Sequence, residues 1–201
     1  MRKARTDSRT RQRLLDAAQD LMLTKGYTAT SVDDVCEAAG LTKGSFFHYF
    51  KGKEHLGSLV VERYYAASQE MSRAASYHRK KDPLDRVLAH VDCFIEASRD
   101  PVWKGCLLGT FVQELSQTHP QIRAVCAACL SDLAKSFKLD LDAAKKKYKV
   151  RAHWSTQSLA EHLIAVAQGG VILAKAKQDR KVFESTISGL SQPRRVIVLK
   201  G

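Results

Sequence analysis

The sequence predicts an all-α protein in which a three-helix N-terminal helix-turn-helix domain is joined by a long helix to a larger helical C-terminal domain. Three observations carry that expectation. Apolar residues recur at three- and four-residue steps through most of the chain, the period of a helix with one buried face. Residues 31–50, SVDDVCEAAGLTKGSFFHYF, hold two short stretches of this kind with Gly40 between them. Directly after them, Leu56, Leu59, Val60, Tyr64 and Ala67 mark one face of a long helix opened by Gly52 and Lys53.

In chain order, Arg2, Lys3, Arg5, Arg9, Arg11 and Arg13 form a basic arm that runs into a first helix, whose inward face is Leu14, Ala17, Ala18, Leu21 and Met22 and whose end is Gly26. Beside a DNA-reading unit such an arm suits phosphate or minor-groove contact, with plain terminal solubility as the alternative. Thr30 or Ser31 caps the second helix, and Asp33 and Asp34 suit its positive end. Val32, Val35, Cys36 and Ala39 face inward, and Gly40 takes the left-handed turn that stops the helix. Thr42 caps a third helix with Phe46 and Phe50 on its inner side, which leaves Lys43, Gly44, Ser45, Phe47, His48 and Tyr49 outward. Two short helices joined by a tight Gly turn, the second offering a cation and hydrogen-bonding groups, describe a reader of duplex DNA. The expected DNA-contacting residues are Thr30, Ser31, Lys43, Gly44, Ser45, Phe47, His48, Tyr49 and Lys53.

The helix start at SVDD, the run AAGLTKGSFFHYF and the following KEHL resemble the DNA-binding domain of the TetR family of transcriptional regulators. The motifs cover the N-terminal third of the chain, and the remainder resembles the family only in being helical. The resemblance implies residues 1–53 as the DNA-binding domain, 54–190 as an effector-binding and dimerisation domain, and a tail at 191–201 to which it gives no role. It implies a cytoplasmic, homodimeric regulator, a repressor by family default, that binds a near-palindromic site in double-stranded DNA and is released by a small-molecule or electrophile effector. One departure stands out. Family members commonly carry tyrosine where this chain has Phe47, so a hydroxyl contact is missing and the ring is left to pack or to touch a thymine methyl.

Past the long helix, His78 to Asp82 read as a polar break, and Pro83 opens a helix carrying Leu84, Val87, Leu88, Val91, Phe94 and Ile95. Pro101, Gly105 and Gly109 interrupt the pattern around Trp103, Cys106, Leu107 and Leu108. Such broken helices suit the wall of a small-molecule cavity, for which Tyr64, Phe94, Trp103, Cys106, Phe111 and Lys175 are the candidates; an ordinary core kink reads equally well. The Gly-Cys-Leu setting of Cys106 resembles a branch of the family that answers electrophiles or oxidants, with Lys175 as the partner that would depress the thiol pKa; a buried inert thiol is the alternative. His119 and Pro120 start another helix, with Ile122, Val125, Cys126, Cys129, Leu130, Leu133 and Phe137 as its stripe. A helix over 156–178 is rich in small residues. In the family two such helices pack against their twofold mates, so Val125, Cys129, Ala160, Ala167, Gly170 and Ala174 are the expected dimer contacts. A short helix through Phe183, Ile187 and Leu190 follows.

A net charge of +12 and a pI near 9.6 favour polyanionic partners. Residues 1–53 contribute 10 basic and 6 acidic side chains. Much of the remaining excess lies in Lys145, Lys146, Lys147, Lys149 and Arg151, which read as a solvated connection between helices. No apolar run is long enough to predict a membrane span, and the basic N-terminus lacks the apolar centre of a signal peptide. Five cysteines in no regular framework suit a reducing compartment. Cys126 and Cys129 form a CxxC, but they continue a helical stripe without a second ligand pair, so buried thiols are expected and no metal or cofactor is assigned. An enzyme built on Cys106, His90 and Glu114 lacks any motif that fixes their geometry. The alternative regulator-like reading is a non-sensing architectural DNA-binding protein held by charge alone.

Overall fold

The computed structural model describes residues 2–151 and 153–191, and the tail at 192–201 lies outside the described residues. The elements are α1 (Arg2–Lys25), α2 (Val32–Ala39), α3 (Lys43–Tyr49), α4 (Lys53–Ala74), a 3-10 turn (Ser76–Arg79), α5 (Pro83–Ser98), α6 (Leu107–Leu115), α7 (Pro120–Lys147), α8 (Thr156–Lys177) and α9 (Arg180–Ser191). No strand occurs among the described residues, as the helical periodicity predicts.

Two compact units emerge. One holds residues 1–70 and 106–129, the other 71–105 and 130–201. In the first, Leu14, Ala18 and Met22 of α1, Val35 of α2, Phe46 of α3 and Leu56, Val60 and Val61 of α4 form the core, joined by Leu107, Phe111, Leu115 and Ile122. Helix α6 and the start of α7 therefore fold with the reader, although the sequence suggested no link between them. In the second unit α8 packs on α9, and α9 on α5, through Leu163, Val171, Phe183, Ile187, Val87, Val91 and Ile95.

Several sequence expectations shift. The arm is itself helix: α1 begins at Arg2, because Arg, Lys and Ala are good helix formers and no Gly or Pro intervenes before Gly26. The break at 78–82 contains part of the 3-10 turn, where buried Tyr77 stacks on His90 at 4.4 Å. The lysine run is a loop only in part: Lys145, Lys146 and Lys147 lie in the last turn of α7, where cations suit the negative helix end, while Lys149 and Arg151 fall in the connection to α8 as expected. Lys147 pairs with Asp82, and Lys145 donates to Trp154 O at 3.1 Å. Finally, α8 is long and apolar enough to cross a membrane by composition, with a mean hydropathy of 1.3 in its most apolar window, a feature that scanning for unbroken apolar runs passed over.

Candidate nucleic-acid interface

The helix pair at 31–50 is built as its residue types dictate. Ser31 caps α2: its Oγ accepts from Asp34 N at 3.1 Å, while Asp34 Oδ2 accepts from Ser31 N at 2.7 Å, a reciprocal capping box. The Ser31 amide and the Lys25 ammonium, 2.9 Å away, hold the Asp34 carboxyl well below the usual carboxylate range. Gly40 sits at φ 60°, ψ 44°, and Leu41 N donates back to Cys36 O at 2.9 Å, which closes α2 and turns the chain. Thr42 Oγ1 accepts from Ser45 N at 3.2 Å and starts α3. Phe46 and Phe50, 5.3 Å apart and both fully buried, fasten α3 to the core.

What α3 leaves outside is chemically mixed. Lys43 is 63% exposed and its Nζ lies 2.8 Å from Asp33 Oδ1 on α2. Gly44 opens onto free space: a Cβ there would meet nothing closer than Thr42 Oγ1 at 3.7 Å. Phe47, 58% exposed, rests edge-on against Phe46. The Tyr49 hydroxyl donates to Asp7 of α1, and that carboxylate raises its pKa. His48 Nε2 is 3.6 Å from the same Asp7 oxygen. Ser45 is half-buried and bonded to Thr42.

Three of the nine expected residues lie outside α3. Thr30 is fully buried and its hydroxyl donates to Gly26 O at 2.7 Å, so it fastens the loop after α1 and reaches no ligand. Lys53 points its ammonium at the same loop, donating to Tyr27 O at 3.0 Å and standing 4.3 Å over the Tyr27 ring; burial lowers its pKa. Ser31 is exposed, with its hydroxyl committed to the cap.

The loop that Thr30 and Lys53 hold is gripped from α6 as well. Glu114 Oε2 accepts from Thr28 N at 2.8 Å and Oε1 from Tyr27 N at 3.2 Å. Phe111 and His119 meet the Tyr27 ring edge-on at 5.5 and 5.3 Å. Phe111, expected in a cavity wall, is fully buried and committed to this contact. At the other end of α6, the Tyr64 hydroxyl meets the Cys106 thiol and accepts from Leu107 N. The Tyr64 ring is half-buried, yet its hydroxyl is desolvated, which with Cys106 pushes the phenol pKa up. Sequence reasoning missed Asp7, Tyr27 and the loop-holding role of Glu114. A single acid inside a basic arm was the one available signal, for Asp7.

The family model of bacterial regulatory proteins of the tetR family matches residues 14–57, and that of the tetracyclin repressor-like C-terminal domain matches 83–190, more than half of the chain. The chain belongs to the TetR family of transcriptional regulators. It is 25% identical over 178 residues to the HTH-type transcriptional repressor DhaR of Mycobacterium sp. strain GP1, covering 89% of this chain and 88% of that one. With the HTH-type transcriptional repressor NemR of Escherichia coli K12 it shares 34% identity over 85 residues, 42% of this chain and 43% of that one. The fold matches that of a TetR regulator from Chloroflexus aurantiacus with a TM-score of 0.81 at 24% identity, over 93% of this chain and 94% of the other.

The C-terminal match extends the likeness well past the motif-bearing third. Within this TetR-family chain, the residues expected at an effector site divide between the two units: Tyr64, Cys106 and Phe111 in one, Phe94, Trp103 and Lys175 in the other. Phe94 lies 5.9 Å from Phe137, Trp103 packs 5.0 Å from Phe183, and the Lys175 side chain lies against Gly105. Cys126 and Cys129 are buried thiols, Cys126 pushed up to about 11 by burial.

Within the single chain, the residues expected at a dimer contact are mostly packed inside. Ala160, Ala167, Gly170 and Ala174 face inward: a Cβ on Gly170 would lie 3.1 Å from Phe183 and 3.4 Å from Thr186 of α9 in the same chain. At Gly170 the close helix approach is to α9 of the same chain. Cys129 is likewise buried and Val125 half-buried. The outward face of α8 carries Ala165, Ile172 and Leu173, the last two 49% and 47% exposed, with half-buried Gly169 open to space.

Proposed function

We propose that this TetR-family regulator is a cytoplasmic homodimeric repressor that binds a near-palindromic operator through α3 and is released by a small-molecule or electrophile effector. The observation that carries the DNA reading is the outward edge of α3, where Lys43, Gly44, Phe47 and His48 are exposed on a helix anchored by Phe46 and Phe50. Lys43 supplies a donor for guanine or phosphate, Gly44 lets the backbone approach the duplex, and Phe47 offers an apolar face to a thymine methyl. DhaR and NemR, both named as transcriptional repressors, support the sign of regulation.

The second copy is assigned to the outward face of α8. Ile172 and Leu173 beside Gly169 form an apolar strip with room for close helix approach, which also accounts for the apolar composition of this helix. Two recognition helices about 34–36 Å apart then meet successive major grooves. Release runs through α6. An effector or electrophile at Cys106 and Tyr64 shifts the N-terminal end of α6, whose other end holds the Tyr27–Thr28 loop through Glu114, so the reader loses its DNA-competent setting.

Fluorescence anisotropy with the chain's own upstream DNA tests the reading. Wild type binds one palindromic segment in preference to a scrambled duplex, and Lys43→Ala weakens it about tenfold or more, the scale of a lost base contact. Equal affinity for both duplexes would instead establish the architectural binder.

A further inference from the structure

The outward edge of α3 carries three polar tips able to meet DNA phosphate, and in this chain each already faces a carboxylate. Asp33 Oδ1 lies 2.8 Å from Lys43 Nζ. Asp7 accepts from the Tyr49 hydroxyl, and its Oδ1 is 3.6 Å from His48 Nε2. The two acids come from different helices, α2 and α1, and converge on the edge that the proposed function assigns to DNA.

Their surroundings distinguish them from structural ion pairs. Side-chain exposure is 63% and 65% for Lys43 and Asp33, and 67% and 55% for His48 and Asp7. Exposed pairs of this kind contribute little to folding. Helix α3 is already fixed without them, by its Thr42 cap and the buried Phe46. Being open to solvent, both pairs are also open to a competing anion.

We propose that Asp7 and Asp33 are tethered phosphate mimics that suppress sequence-independent DNA binding by occupying the recognition-helix donors until a matching site displaces them. The inference rests on the DNA reading given above. On arbitrary duplex, affinity comes only from phosphate contacts and the counterions they release. A donor held by a carboxylate makes no phosphate contact and releases no ion, so the loose complex is weak and shallow in its salt dependence. On a matching site, base-edge contacts add free energy that opens both pairs, and the donors then turn to the duplex. The acids thus weaken the wrong complexes more than the right one.

Salt titration on a probe that needs no known operator tests this. Full-length wild type, Asp7→Asn, Asp33→Asn and the charge-matched control Asp132→Asn are titrated by anisotropy against a labelled mixed-sequence duplex of about 25 base pairs, from about 50 to about 200 mM salt. Asp132 lies on α7, where it pairs with Lys135. Each α3-facing substitution should raise mixed-duplex affinity about three- to tenfold at the lowest salt, and Asp33→Asn, which frees the Lys43 cation, should also steepen the log–log slope by about 0.9, whereas Asp7→Asn frees the uncharged Tyr49 hydroxyl and should act on affinity with little change of slope. Thermal unfolding of all four proteins should stay within about 4 °C, with Asp33→Asn lowest because it also loses a carboxylate from the first turn of α2. Binding by wild type with slope and affinity unchanged in both variants overturns the proposal alone, as does an equal change in Asp132→Asn, which would assign the effect to net charge. Failure of every variant to bind duplex at low salt overturns the DNA reading and the inference together.

Discussion

Removing the Glu114 carboxylate should loosen the reader without touching any residue of α3. Glu114→Ala deletes both acceptors of the Tyr27 and Thr28 amides, at 3.2 and 2.8 Å. Hydrogen bonds to a charged group contribute about 1.5–3 kcal/mol each, and the Thr28 bond is exposed enough for water to replace part of it, so the loss totals about 2–3 kcal/mol. Glu114→Gln keeps one acceptor but turns an NH2 towards the other amide, which retains about half of the stabilisation. For a chain of this size that corresponds to a fall in Tm of about 4–10 °C for Ala and less for Gln. Urea denaturation followed by far-UV circular dichroism gives the stability order wild type, Gln, Ala. The same proteins bound to operator and treated with N-ethylmaleimide give the functional readout: wild type releases DNA, whereas Glu114→Ala, which has already lost these contacts, binds operator more weakly from the start and shows a diminished further response. Wild-type stability in Glu114→Ala, or undiminished release by N-ethylmaleimide, would refute the assignment of this carboxylate as the link between α6 and the reader.

Gly26→Ala should be as damaging by another route, because Gly26 holds φ at 89° and a Cβ there would fall 2.3 Å from Glu114 Oε1; a loss of about 2 kcal/mol or more is expected in urea denaturation, less than additive with Glu114→Ala. His90 is buried between Tyr77 and Phe137 at 4.4 and 4.1 Å, and burial, with His78 adding, lowers its pKa to about 4. The unfolded chain takes up this proton near pH 6.5 and the folded one only near 4, so stability falls with acidification across that window, by up to about 3 kcal/mol, and is unaffected by this group at higher pH. Denaturation midpoints of wild type and His90→Phe from pH 7.5 to 4 check it, the variant losing that part of the slope. Leu173→Asp, which sets a charge on the exposed strip of α8, should shift light-scattering mass from dimer to monomer while the helical spectrum is kept. With Phe47 on a thymine methyl as proposed, deoxyuridine at that position should weaken wild type about fourfold, the value of one buried methyl group, and leave Phe47→Ala indifferent.

How much of this was legible beforehand follows from where the information lies. The helix pair at 31–50 could be read because its determinants are local: Ser31 and Thr42 cap within three residues, Gly40 turns within one, and Phe46 and Phe50 repeat at helical spacing. Thr30 illustrates the limit. Its residue type and position suit a phosphate contact, but the direction of its side chain is decided by Gly26, four residues back at positive φ. Glu114 and Asp7 were out of reach for another reason, since their partners lie 87 and 42 residues away and no spacing rule connects them. The small residues of α8 imply that a backbone comes close, and at Gly170 the neighbour is α9 of the same chain; composition records that something approaches without recording what.

The proposed release mechanism carries a ceiling that the same contacts set. A rod of nine residues, α6 is about 13 Å long, with Cys106 at its N-terminal end and Glu114 one residue from the other. Whatever binds at Cys106 and Tyr64 can disfavour the DNA-competent arrangement only by its differential affinity for the alternative, and the signal that passes through α6 is bounded by the interactions the reader loses. Those are the two Glu114 hydrogen bonds and the edge-on contact of Phe111 with Tyr27, together about 3–4 kcal/mol. At about 1.4 kcal/mol per decade, release through this path alone weakens operator binding by at most about 100- to 1000-fold per chain. An effector that weakened binding far more would have to act through a second route, such as a change in the spacing of the two recognition helices across the α8 faces. Titrating operator affinity against effector concentration in wild type and in Glu114→Ala separates the two: the part of the response that survives in the variant belongs to that other route.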